Sequence, residues 1–405
     1  MRCILHLLPL LTLGCIGEDT ESGTNACRAE GTGEADLDAE LVTDEGRIAT
    51  RIVSPAKGDP ASVPVVLQLF GQWTTTTRPE EGNIPVPGAI VVRVALTGEG
   101  WGDGLDDVRG PNARAAVAAA LQYAGGTLAD SEGCFLDDRF PAANTAVVVL
   151  LGESNGGNLA AATLADPALD FPPPTAVVFW ETPAGAQFVD LDFGSTDEVY
   201  SSGSCTLDPE NGVTCGYQPG LVLATDGDTV CFDLDRDGLC TSPDVRPRAH
   251  PDPVTGKRAS SPPFADAIEA AGIDAPWDTR PESLAFWADR DAARLAPAML
   301  ARFPDLRFLL LASETDHALI SLQDHPHVFG LGEALQRAGA AWVRLNPGSS
   351  YTGLASENAV NMPLFLSDST PWLLSEEEEA PLSSLYAAAV DEVRDRAERD
   401  AWEGE

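Results

Sequence analysis

The chain has 405 residues, 44% of them apolar, with 63 Asp and Glu against 25 Lys and Arg and a formal net charge of -38. That balance excludes a basic nucleic-acid surface, and the apolar content excludes both a disordered chain and a transmembrane bundle. It also repels anionic head groups and polyanionic substrates, which leaves neutral or cationic small molecules.

Residues 1–15 read MRCILHLLPLLTLGC, with one basic residue, Arg2, then an apolar run and a small residue before a cysteine. The run is a signal peptide, too short to span a bilayer, and it has no polar face to make it a surface helix. Gly14 and Cys15 resemble the end of a bacterial lipoprotein signal, although Thr12 stands where leucine is usual. The resemblance implies cleavage before Cys15, lipid attachment to it, and a cell-envelope location with membrane contact only through the anchor. Simple secretion is the alternative. Residues 17–24 (GEDTESGT) suit a flexible tether. The expected organisation is a signal peptide at 1–14, an anchor and tether at 15–44, a core at 45–181 and 281–405, and an insertion at 182–280.

Cys27, Cys134, Cys205, Cys215, Cys231 and Cys240 form an even set in a chain addressed to an oxidising compartment, which implies disulfides. Short spacing favours Cys205 with Cys215 and Cys231 with Cys240, leaving Cys27 with Cys134. Zinc is disfavoured, because no Cys-Xaa-Xaa-Cys pair exists and no histidine lies within the cluster.

Residues 46–54 (GRIATRIVS) alternate apolar and polar, as a half-exposed antiparallel strand does. Residues 63–70 (VPVVLQLF) and 89–96 (AIVVRVAL) are apolar runs bounded by Gly and Pro, which predict strands buried on both faces. A helix over 112–123 begins at the N-cap candidate Asn112. A buried strand at 145–151 (TAVVVLL), a helix at 158–165 and a strand at 176–180 (AVVFW) follow. A strand at 306–312, a helix at 333–338 and a strand at 341–345 continue the alternation, which predicts an α/β fold with a mostly parallel sheet covered on both sides. Between 182 and 280 the periodicity stops, and four of the six cysteines fall there, so a small bridged excursion is expected. Near the end, Leu385, Ala389 and Val393 recur every fourth residue, the stripe of a helix lying on the sheet, behind a solvated acidic start at 376–379.

The strand at 145–151 runs into Gly152-Glu153-Ser154-Asn155-Gly156-Gly157 and then a helix. Strand, Gly-Xaa-Ser-Xaa-Gly, helix is the pattern of a nucleophile elbow, in which small flanking residues let a tight turn lift the serine above the sheet. At these residues the chain resembles the α/β-hydrolase superfamily, over about 45 to 400 apart from the insertion. The resemblance implies a serine esterase or lipase with Ser154 as nucleophile, and with an oxyanion held by the Asn155 amide and an amide at Gln72, beside Trp73. The acid implied by position is Asp316, in Ser313-Glu314-Thr315-Asp316-His317 after the penultimate strand, with Glu181 as the second candidate. After the last strand, where the family places its base, residues 346–357 (NPGSSYTGLASE) contain no histidine. The base then comes from His325 or His327, since His317 adjoins Asp316, His6 leaves with the signal and His250 lies in the insertion; the bland reading of Asp324-His325-Pro326-His327 is a capped helix start. The insertion is expected to form a lid, as such insertions commonly do in this fold.

Asp233, Asp235, Asp237, Gly238 and Asp244 take positions 1, 3, 5, 6 and 12 of a calcium loop, with the Leu239 carbonyl at position 7. Asp at the last position and Pro243 and Pro247 after it depart from the pattern, and an acidic turn without an ion is the alternative. No organic cofactor is expected. The sequence therefore predicts a secreted or lipid-anchored hydrolase acting on a small ester. The alternative is an envelope binding or structural protein on a hydrolase scaffold that has lost its triad histidine.

Overall fold

The computed structural model describes residues 27, 35–44, 46–54, 62–70, 84–96, 98, 102–182, 205–208, 212–215, 222–226, 229–233, 235–241, 250–251, 258–259, 268–273, 285–286, 288–311, 326–348 and 376–402. Eight strands form its central sheet: β1 (Ala35–Thr43), β2 (Gly46–Ser54), β3 (Val63–Leu69), β4 (Ile90–Val94), β5 (Ala143–Glu153), β6 (Ala176–Trp180), β13 (Arg307–Leu311) and β14 (Trp342–Leu345). Their spatial order is β1-β2-β4-β3-β5-β6-β13-β14. Every adjacent pair from β4 to β14 is parallel, and β2 runs antiparallel to both of its neighbours.

The buried strands divide their side chains between the two faces with the period of two that a pleat demands. Val65, Leu67, Val148, Leu150, Val177, Phe179, Phe308 and Leu310 join one core, beneath α1 (Pro111–Ala124), α3 (Asn155–Ala165) and α4 (Ala292–Arg302). Val66, Val149, Leu151, Val178, Trp180, Leu309 and Leu311 join the other, beneath the 24-residue helix α6 (Glu376–Arg399). A short helix α2 (Leu136–Arg139) precedes β5, and α5 (Pro326–Arg337) contributes Leu331 and Leu335 to the first core. No described helix is long and apolar enough to cross a membrane.

Several boundaries differ from the sequence reading, and α5 begins seven residues before the helix expected at 333–338. The sheet starts at β1, inside the segment assigned to the tether: Leu41 is fully buried, and Ala35 to Thr43 pair with Ser54 to Gly46. Its alternating Asp and Glu suit an edge strand, which tolerates charge on its solvent side. Helix α1 begins one residue before Asn112, with Pro111 at its first position and Gly110 as N-cap. Asp107 takes over the capping, accepting from the amides of Gly110 (2.9 Å), Asn112 (2.6 Å) and Ala113 (3.3 Å). Helix α3 starts at Asn155, so Gly156 and Gly157 lie in its first turn.

Among the described residues the insertion holds three antiparallel pairs: β7 (Cys205–Asp208) with β8 (Gly212–Cys215), β9 (Val222–Asp226) with β10 (Thr229–Asp233), and β11 (His250–Pro251) with β12 (Arg258–Ala259). Cys205 and Cys215 face each other in the register of β7 and β8. Disulfides join Cys27 to Cys134 and Cys231 to Cys240. The first ties the segment before β1 to the turn before α2, where Arg139 is paired with Asp130 at 2.7 Å.

Candidate active site

Strand β5 ends at Glu153, and Ser154 takes φ 50° and ψ -123° before α3 begins. An L-residue adopts such a backbone only when its surroundings over-determine it. Here they do: the Ser154 amide donates to Trp180 O at 2.8 Å, and the Gly157 amide donates to Ser154 O at 3.0 Å. A Cβ on Gly152 would collide with the backbone of Gly157, and one on Gly156 with the carbonyl of Leu69, so neither position admits a side chain. The turn thus needs the glycines on both sides of Ser154 to bring α3, β5 and β3 together.

Asn155, the first residue of α3, is buried, and its amide lies among the four N–H groups that a helix start leaves without intrahelical partners. Its side chain is fixed twice: Arg109 Nη1 donates to Asn155 Oδ1 at 2.9 Å, and Asn158 Nδ2 donates to the same oxygen at 3.3 Å. Asn158 Oδ1 in turn accepts from the Ala292 amide at 2.9 Å, which docks the start of α4 on α3.

Below the turn, on the α6 face, lies a buried polar row that sequence reasoning did not single out. Arg93 Nε on β4 donates to Gln68 Oε1 on β3 at 3.0 Å, and Gln68 Nε2 donates to Glu153 Oε1 on β5 at 2.6 Å. Glu181, fully buried at φ 42°, follows β6 directly. Burial pushes the Tyr386 phenol on α6 well above its usual range, and the negative charges of Glu153 and Glu181 push it further. The row had a sequence signal: Gln68 and Arg93 are lone polar residues within otherwise apolar strands.

The other candidates are placed less fully. Gln72, Trp73, Asp316, His317 and His325 lie outside the described residues, as do Cys15 and Asp244. His327 falls in the first turn of α5. β14 ends at Leu345 and is followed by the buried Asn346. In the insertion, carboxylate oxygens of Asp233, Asp235 and Asp237 come within 4.8 Å of one another. Asp233 also accepts from the amides of Asp237 (3.1 Å) and Gly238 (2.9 Å), closing the turn on itself, while Leu239 is exposed.

A mostly parallel sheet with helices on both faces, and a strained serine between β5 and α3, fit an α/β-hydrolase fold. No protein-family model matches the chain, and no curated protein sequence matches it. Among solved structures the chain is similar to a carboxyl esterase from the mycorrhizal fungus Tuber melanosporum, at 13% identity and TM-score 0.43, covering 93% of each chain. It is also similar to a thermostable esterase from Pseudomonas putida, at 12% identity and TM-score 0.41, covering 91% of this chain and 86% of that one. A third is brefeldin A esterase, a bacterial homologue of human hormone sensitive lipase, at 14% identity and TM-score 0.42, covering 95% of this chain and 81% of that one.

Proposed function

We propose that the chain hydrolyses carboxylic esters through an acyl-enzyme on Ser154. The observation that carries this reading is the strained Ser154 backbone, held at the junction of a buried parallel strand and a helix start. In this mechanism a histidine, His325 or His327, oriented by Asp316 or Glu181, takes the hydroxyl proton as Oγ bonds to the ester carbonyl carbon. The amides of Asn155 and Gln72 receive the oxyanion, and the alcohol leaves with the proton. Water then attacks the acyl-enzyme by the same route in reverse roles, releasing the acid. The charge of -38 favours neutral or cationic esters. The insertion serves as a lid, lipid on Cys15 anchors the chain to the envelope, and calcium bound by Asp233, Asp235, Asp237, Asp244 and the Leu239 carbonyl stiffens the insertion.

Treating the purified chain with a fluorophosphonate probe, beside Ser154→Ala, tests the reaction: labelling of the wild type alone is expected. Equal labelling of both, or of neither, removes the enzyme reading. It would favour the second one, a binding scaffold, which rests on the lack of a histidine among residues 346–357. Replacing His325 and His327 singly by alanine is expected to cost one of them about a hundredfold in turnover. The calcium loop is tested by melting chelator-treated chain with and without calcium, where Asp235→Ala abolishes an upward shift that comes from the loop.

A further inference from the structure

Strand β3 grips the turn on both sides of Ser154. Before the serine, Gln68 Nε2 donates to Glu153 Oε1 at 2.6 Å; after it, the Leu69 carbonyl sits where a side chain on Gly156 would have to go. Gln68 is buried, and its amide is fixed at both ends: Nε2 donates also to Ile84 O at 2.9 Å, and Oε1 accepts from Arg93 Nε at 3.0 Å. From α6 the buried Tyr386 phenol stands near the same Glu153 carboxylate. A peptide unit is planar, so the unit from Glu153 Cα to Ser154 Cα moves as one plate. The Ser154 N–H on that plate donates to Trp180 O at 2.8 Å, and the next plate is held where Ser154 O accepts from the Gly157 amide at 3.0 Å. Ser154 Cα hangs between the two, at φ 50° and ψ -123°. One hydrogen bond leaves a plate able to swing about that bond, and a side chain anchored at Glu153 supplies a second point.

We propose that Gln68 is a positioning residue for the nucleophile: by pinning the Glu153 side chain to β3 it stops the Glu153–Ser154 peptide from rotating and keeps Ser154 in its strained backbone conformation. This rests on the ester-hydrolase reading. Without the pin Ser154 relaxes toward the negative φ that L-residues prefer, and its hydroxyl moves with it. Cutting the link at Glu153 therefore falls on reaction rate more than on folding, since Gln68 keeps its other partners and the relaxed strain returns part of what the lost hydrogen bond takes away. A neutral amide suits the place. It donates to Glu153 and to the Ile84 carbonyl while accepting from Arg93, a set of contacts that neither a carboxylate nor an ammonium group makes.

The decisive variant is Glu153→Met, which keeps the length of the side chain, does not accept from Gln68, and leaves Gln68 its bonds to Ile84 O and Arg93. Assayed at a temperature where its melt shows it fully folded, it is expected to lower kcat about tenfold or more with KM within about twofold, since displacing a reacting group by about 1 Å costs about a hundredfold. Glu153→Gln, whose carbonyl oxygen still accepts from Gln68 Nε2, is expected to recover most of that loss. Gln68→Asn, a methylene too short to reach Glu153, is expected to lower kcat as Glu153→Met does, and it decides if Glu153→Met does not fold. Wild-type kcat in the folded variant, or a loss carried by KM, overturns the inference. So does a Glu153→Gln as slow as Glu153→Met, because the charge of Glu153 and not its bond to Gln68 would then matter. Both readings fall together if the wild type neither turns over an ester nor takes up fluorophosphonate on Ser154. A labelled, active wild type beside an unimpaired Glu153→Met overturns this inference alone.

Discussion

On the face of the sheet covered by α1, α3 and α4, the helices present small side chains: Ala113, Ala116, Ala120, Ala160, Ala161 and Ala296 are all buried there. On the opposite face α6 lies over Trp180 and Trp342, with Tyr386 in edge contact with Trp180 at 6.3 Å between centroids. On the first side the contacts of Arg109, Asn155 and Asn158 gather where α3 begins. On the second the helix packs on large rings, and the row Arg93, Gln68 and Glu153 is buried within the layer. Ser154 sits where the two designs meet: Glu153 before it points into the polar layer, and Asn155 after it begins α3.

The comparison breaks most sharply at Gln68. Gln68→Leu removes the amide that joins a buried carboxylate to a buried guanidinium. It is expected to destabilise by about 3 kcal/mol, as taking hydrogen-bond partners from buried charged groups does, read as a lower midpoint in a denaturant melt. A loss below about 1 kcal/mol would mean that the row is not what holds the charges. Next in size is overpacking of the alanine face: Ala160→Leu is expected to cost about 1–3 kcal/mol, whereas Leu385→Met on the α6 face, where a flexible side chain fits among large ones, should cost less than about 1.5 kcal/mol. Equal costs would dissolve the distinction between the faces.

How much of this was legible in the sequence follows the same division. Strands β3, β5, β6 and β13 were readable because burial on both faces makes an uninterrupted apolar run. Strand β1 was not, since Asp36, Asp38 and Glu40 alternate with Leu37, Ala39 and Leu41 and the acidic half disguised an edge strand as a tether. Helix α4 was hidden by Pro297 within it, and the first turn of α3 by two glycines that are there for the close approach of neighbouring backbone. In the site, Ser154 stood out because the elbow is a local pattern of residues. Arg109 did not, because its contact with Asn155 spans 46 positions and no spacing rule encodes it. The local Cys231 and Cys240 pair was readable from nine residues of separation; the Cys27 and Cys134 pair emerged only as the remainder.

The smallest expected effect isolates one hydroxyl in the polar layer. Tyr386→Phe leaves the ring and its contact with Trp180 and removes the buried oxygen near Glu153, which should move stability by less than about 1 kcal/mol near neutral pH. Its signature is in the alkaline limb. Burial and two carboxylates raise the folded phenol above its unfolded value of about 10, so its contribution is complete below that pH. Above it the unfolded chain gives up the proton first, and stability falls as pH rises toward the folded value, by about 1.4 kcal/mol per pH unit for each such proton. Tyr123, buried and also facing a carboxylate, Asp130, is raised in the same direction. If these two phenols carry the slope, Tyr386→Phe should roughly halve it, while Tyr123→Phe takes the other half from the alanine face. A slope that Tyr386→Phe leaves unchanged would place the alkaline sensitivity elsewhere and remove the polar layer's claim to it.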